Sequence, residues 1–176
     1  MAENDKESGA GDQTAPKEGG GFPLTVVTQY VKDLSFENPG GPDSLIALKE
    51  VPHGTVRVDV RVQPRTPPEI EIVLFLAVEA KAGDKVVYMT ECEYGGIFRL
   101  GRVSQESVLP LIMIEAPRLL FPFARQVIAS AVSAGGFPPL LINPIDFAAL
   151  YREKREEVMK QTGQAAPAGE GKSALN

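Results

Sequence analysis

The chain has 176 residues, 43% of them hydrophobic and 23% charged, with a net charge of −5 and a single cysteine. That length carries one domain with a core of its own. The acidic balance argues against nucleic acid, whose phosphates require a basic footprint, and one thiol excludes an intrachain disulfide while fitting a reducing cytosol.

Residues 1–21 are polar, glycine-rich and free of aromatics, without the basic lead and apolar run of a secretory signal. Such a stretch cannot offset the entropy of ordering it, so it is expected to be a disordered tail, as is the small polar stretch 163–176. One domain is expected between them, over 22–162.

Leu24 to Glu37 alternates, with Leu24, Val26, Tyr30, Leu34 and Phe36 on one parity and Gln29, Asp33, Ser35 and Glu37 on the other, which predicts a strand with one wet face. Asn38 to Gly54 is rich in proline and glycine around the apolar island Leu45-Ile46-Ala47-Leu48. A connection this long has a job or hides a short helix. Its island is either ordinary core or part of a binding surface.

Thr55 to Val62 alternates most cleanly, Val56, Val58, Val60 and Val62 inward and Arg57, Asp59 and Arg61 outward. In Glu69 to Ala80 both parities are apolar at the middle, which predicts a central strand covered on two sides. Lys85 to Leu100 gives a fourth strand, with Gly95-Gly96 suggesting a bulge or bend. Three strands joined by short turns after one long crossover predict a four-stranded antiparallel sheet in an α+β protein.

Ser104 is a plausible cap for a helix through Glu115, bent at Pro110. Pro117 to Phe137 then reads as a long apolar helix entered at Pro117 and stopped by Gly135-Gly136. Pro122 and Arg125 interrupt it as a membrane span. One sheet layer covers one side of such a helix, so its remaining apolar surface predicts an oligomer. Asn143 with Pro144 is expected to open a final amphipathic helix whose stripe is Phe147, Leu150, Tyr151, Lys154 and Val158.

Chemistry-bearing constellations are thin. His53 is the sole histidine, in a loop, and Cys92 lies within a strand, so neither a nucleophile–base pair nor a metal site is indicated. Glu91 and Glu93 share a wet strand face and read as solvated, and Gly95-Gly96 lacks the spacing of a phosphate loop. Nothing here reads as an enzyme or as a holder of a cofactor. What remains is binding surface: apolar strips at the edge of a sheet–helix layer can hold extended polypeptide.

Four segments carry a resemblance. YVKDLSFENP (Tyr30–Pro39), ECEYGGIF (Glu91–Phe98), PRLLFPFARQVIASAVSAGGFPPL (Pro117–Leu140) and INPIDFAALY (Ile142–Tyr151) resemble, in order and spacing, the SecB family of bacterial protein-export chaperones. The resemblance covers Phe22 to Gln161 and implies an ATP-independent holdase. Such a protein keeps preproteins unfolded in the cytoplasm and delivers them to the SecA motor. It also implies a homotetramer, a dimer of dimers whose paired sheets sandwich the long helices.

By position, Asp33, Glu37 and Glu91 match the acidic patch that contacts the zinc-bearing tail of SecA. Val56, Val58, Val60, Leu150 and Tyr151 match a groove for unfolded clients. The crossover loop lacks the aromatic residue of well-studied relatives, and the final tail is only weakly acidic. Two other readings stand beside this one: a SecB-like chaperone dedicated to one client such as an antitoxin, and a carrier holding a small ligand in the sheet–helix cleft.

Overall fold

The computed structural model describes residues 23–48 and 51–162, with side chains through residue 157. Both expected tails, and the side chain of Val158 in the predicted stripe, lie outside what is described. The elements in chain order are β1 (Leu24–Glu37), α1 (Gly41–Ile46), β2 (His53–Pro64), β3 (Glu69–Ala82), β4 (Lys85–Leu100), α2 (Gln105–Pro110), a π-helical turn (Leu111–Glu115), α3 (Ala116–Ala134) and α4 (Phe147–Thr162). The strands form one antiparallel sheet in the order β1-β4-β3-β2. This is the α+β architecture expected, and the long crossover carries β1's connection from one sheet edge to the other through the short helix α1.

β3 is central and buried on both faces, as its two apolar parities predict. Ile72, Leu74, Leu76 and Val78 face the helices, and Val73, Phe75 and Ala77 lie on the outer face. The guanidinium groups of Arg57 and Arg61 cover the Phe75 ring at 5.6 and 4.9 Å from its centroid. Long cationic stems thus shield an apolar strip over which no second layer lies among the described residues.

β1 departs from the expected alternation. Val27 and Lys32 are extra residues against β4, because Val26 pairs Phe98 while Thr28 pairs Ile97, and Val31 pairs Tyr94 while Asp33 pairs Glu93. Each one-residue bulge reverses the inside–outside phase, so two of them cancel. Leu34 and Phe36 therefore share the helix-side face with Leu24 and Val26, whereas Tyr30 is on the outer face and Gln29 on the inner, the reverse of the sequence reading.

The bulges fall in β1 and not at Gly95-Gly96, where β4 pairs regularly. These glycines answer close approaches. A Cβ at Gly95 would stand 2.8 Å from the Tyr30 ring, and one at Gly96 would stand 2.7 Å from Leu120 Cδ2 of α3.

The two helices expected around Pro117 are one continuous rod, Gln105–Ala134, of 30 residues. Ser104 precedes it as expected, but its hydroxyl contacts Ser107 Oγ at 2.8 Å and caps no amide. Pro117 does not start a helix. The π turn widens the rod just before it, with the Ala116 N–H reaching the Leu111 carbonyl. Such a turn accommodates a ring that has no N–H and crowds the preceding turn.

By length and composition the rod is apolar enough to cross a membrane; here Leu120, Ala124, Ile128 and Val132 are fully buried in the core it shares with the sheet. It ends as predicted at Gly135-Gly136. Gly136 has φ +88, its N–H bonds the Ser133 carbonyl at 3.0 Å, and the Phe137 N–H bonds the Val132 carbonyl at 3.2 Å. This is the paired-bond stop that a left-handed glycine permits.

The final helix begins later than expected. Asn143-Pro144 belongs to an irregular segment, and Asp146 caps α4, its Oδ1 accepting the Ala148 and Ala149 amides at 3.0 Å each. A residue before proline is biased away from helical backbone, while Asp146 reaches two amides the helix leaves free.

The pair of bulges has an energetic consequence. It puts Tyr30 and Lys32 on the same side as Glu71, whose Oε1 accepts from the Tyr30 hydroxyl at 2.6 Å and from Lys32 Nζ at 2.8 Å. Glu71 is only 6% exposed. The Lys32 bond foremost, then the Tyr30 bond, outweigh burial and hold its carboxyl below the ordinary value. Burial first, then the same bond, pushes Tyr30 up to about 12.

A depressed carboxylate contributes stability that is present above its unfolded-state pKa and is lost as pH falls through the folded-state value. Glu71→Gln should therefore cost about 1–3 kcal/mol at neutral pH. The deficit should shrink on acidification below about pH 4. Urea unfolding at pH 7 and pH 3, at matched protein concentration, checks both.

Candidate functional site

Within the rod, α3 packs on β4, β3 and β1. The inner side of edge strand β2 is therefore left to the π turn and α4. Between them lies a cleft of about 180 Å³ lined by Val58, Asp59, Val60, Met113, Leu150 and Tyr151, with Glu153, Lys154 and Glu157 at its charged rim. Four of the five residues assigned to a client groove, Val58, Val60, Leu150 and Tyr151, meet there. Val56 lies farther along the same face of β2, half-buried and packed on the core.

Sequence reasoning missed Met113, Asp59 and the role of Lys154. Lys154 left a signal, a cation inside an otherwise apolar helical stripe. Met113 left none, since its placement depends on the widened turn.

The cleft has a polar clasp on its strand side. The Val60 N–H donates to Asp59 Oδ1 at 2.9 Å, Lys154 Nζ donates to the same carboxylate oxygen at 2.5 Å, and it also reaches the Val60 carbonyl at 3.4 Å. Burial of Asp59 opposes ionisation, but the Lys154 bond and charge, the Val60 amide and Arg61 together leave its carboxyl below the ordinary value. Asp59 is therefore an anion over the physiological range.

The crossover's apolar island is divided. Leu48 packs on the core and Leu45 lies against Gly136 at the end of α3, whereas Ile46 is 83% exposed and Val51, just beyond the island, 71% exposed. The island thus anchors the crossover as ordinary core through Leu48 and Leu45 and leaves Ile46 as exposed apolar surface.

On the outer face of the sheet, Asp33, Glu37 and Glu91 come together. Asp33 pairs Glu93, Ser35 pairs Glu91 and Glu37 pairs Met89, which sets Glu91 across from the midpoint between the two β1 acids. All three are exposed. Among the described residues Glu91 has a cation, Arg57, at 3.5 Å, and Glu93 has Arg61 at 2.5 Å, while Asp33 and Glu37 have no ion pair. An exposed, locally unbalanced cluster of carboxylates suits a basic segment.

Catalytic geometry is lacking where it could be tested. Cys92 is fully buried, and burial foremost, with Asp33 and Glu93 adding to it, pushes its thiol up to about 11. His53 stands at the first position of β2 opposite Lys81, whereas Cys92 is opposite Leu76, itself opposite Val58, two strands away and five residues along. Among the described residues no group of three or more His, Cys, Asp or Glu side chains could hold a metal.

The family model described as "Preprotein translocase subunit SecB" matches residues 18–158. The "Protein-export protein SecB" of Sinorhizobium fredii is 46% identical over 157 residues, covering 89% of this chain and 91% of that one. That of Bradyrhizobium diazoefficiens is 44% identical over 158 residues, covering 90% and 98%. Among solved structures, a Mycobacterium tuberculosis SecB-like chaperone in complex with a peptide from the HigA1 antitoxin superposes with a TM-score of 0.58 at 9% identity, over 70% of this chain and 91% of that one, a likeness of fold. With a family match over residues 18–158 and relatives near 45% identity over about nine-tenths of its length, the chain belongs to the SecB family of protein-export chaperones.

Proposed function

We propose that the domain over residues 22–162 is an ATP-independent holdase of the bacterial cytoplasm that binds preproteins before they fold, keeps them competent for translocation and delivers them to SecA. The observation that carries the holding activity is the cleft between the inward valines of β2 and the Leu150–Tyr151 side of α4, beside a sheet edge whose backbone is largely unpaired among the described residues. An unfolded chain exposes both apolar side chains and backbone donors and acceptors, and a folded one hides them. Each aliphatic side chain buried contributes about 1.5–3 kcal/mol. A few such contacts plus backbone pairing hold a segment without reading its sequence. Binding of this kind needs no reaction and no cofactor.

Delivery is assigned to the other face. Asp33, Glu37 and Glu91 form the surface for the zinc-bearing C-terminal tail of SecA, supported by their shared exposure and by the absence of an ion pair at two of them among the described residues. Assembly is assigned to the rod. Leu109, Leu119 and Phe123 remain 57%, 44% and 51% exposed, and burying them between subunits favours a homotetramer, a dimer of dimers.

The export reading is preferred to a dedicated antitoxin chaperone because the relatives near 45% identity carry the protein-export name, whereas the antitoxin-bound structure shares only the fold. The small-ligand carrier is disfavoured. The cleft of about 180 Å³ falls below the ~300–1,000 Å³ of such sites.

Two substitutions separate the faces. Asp33→Ala with Glu91→Ala should weaken SecA binding roughly three- to thirtyfold while client holding persists. Equal loss of both activities would make these acids structural. Val58→Asp should weaken suppression of client refolding by about tenfold or more without changing the assembly mass seen by light scattering. Undiminished suppression would remove β2 from the site.

A further inference from the structure

The β2 edge is not uniformly open. In an antiparallel strand the N–H and C=O of one residue point to the same side and those of the next to the other. The contacts to Asp59 and Lys154 show that the Val60 pair points away from β3. By that alternation Val56, Val58 and Val62 also direct their backbone groups outward. Among the described residues nothing reaches the outward groups of those three, so Val60 is the one occupied rung along Val56–Val62.

We infer that Asp59 and Lys154 form a latch across the cleft that competes with bound polypeptide for the backbone of Val60, so that an added strand pairs freely along Val56–Val58 and must displace Lys154 to continue. This rests on the reading of the cleft as the site for unfolded chains.

The partners of the two charges suit a contact that opens. Asp59 has a second cation, Arg61, at 3.5 Å, so its carboxylate keeps a partner after Lys154 leaves. Lys154 has Glu157 one helical turn on and Glu153 beside it, both at the cleft rim. Both latch side chains are substantially exposed, at 46% for Lys154 and 39% for Asp59. Water can take over the bonds as they break, and neither charge is stranded in an apolar site. The same clasp blunts an exposed edge in the unliganded protein, where an open row of amides and carbonyls invites pairing between copies.

The test uses Lys154→Met, which keeps an unbranched stem against the cleft and removes the ammonium. The probe is a fluorescent, reduced and carboxymethylated protein that stays unfolded without denaturant. The variant should bind it roughly two- to fivefold more tightly than the wild type, the span an exposed ion pair supports. The advantage should shrink in high salt, where the wild-type pair is screened.

Hydrogen exchange by NMR on the unliganded protein reads the latch without any client. The Val60 amide should be protected in the wild type and lose protection in both Lys154→Met and Asp59→Ala. Unchanged or weaker probe binding by Lys154→Met would overturn the latch even if Val58→Asp abolishes binding and so preserves the cleft. Probe binding that survives Val58→Asp would remove the cleft reading, and the Val60 exchange result would still decide whether the clasp forms.

Discussion

The close seating of α3 on β4 is the constraint from which the rest of the structure follows. Leu120 lies where a Cβ at Gly96 would stand, and Ala116 and Ala124, fully buried on either side of it, let the helix axis approach the sheet. Farther along, Phe36 of β1 fills the space a side chain on Gly135 would need, fixing the far end of the rod. With α3 held over β4, β3 and β1, it cannot also cover β2. That edge strand, with its inward valines, becomes one wall of a cleft, and α4, capped by Asp146 rather than by the earlier asparagine, supplies the other.

A single sheet layer then presents two chemically different faces. The inner side is aliphatic and is completed by helices. On the outer side the apolar middle of β3 is covered by the Arg57 and Arg61 stems, whose guanidinium groups also meet Glu91 and Glu93. Part of the acidic surface is thereby neutralised from within, and its unpaired share is concentrated on β1. Contacts on the outer face are screened by salt, while burial in the cleft is not. Holding a chain and recruiting a partner can thus be carried by one thin domain with little interference between them.

The rod bears on assembly as well. A 30-residue helix seated on one sheet layer leaves apolar side chains exposed, here Leu109, Leu119 and Phe123. The proposed burial of these side chains against another subunit would extend the logic by which the sheet-facing side is buried within the chain.

Much of this was legible in the amino-acid order. Strict alternation from Thr55 to Val62, the doubly apolar middle of β3 and the glycine pair ending the long helix each report a local rule: side chains alternate along a strand, a central strand is covered twice, and a left-handed stop favours glycine. The motifs that resemble SecB also singled out three acids that the fold gathers on one face and four residues that line the cleft. What local rules could not yield were the two bulges that turn Tyr30 outward, the reason for Gly95-Gly96, the fusion of two helices through a π turn, the start of α4 at Asp146, and the clasp of Lys154 on Asp59 from 95 residues away. Each of these is decided by which partner lies opposite. A bulge exists only against a neighbouring strand, a missing Cβ matters only beneath another side chain, and an ion pair between distant residues forms only once the sheet and helices have brought them together.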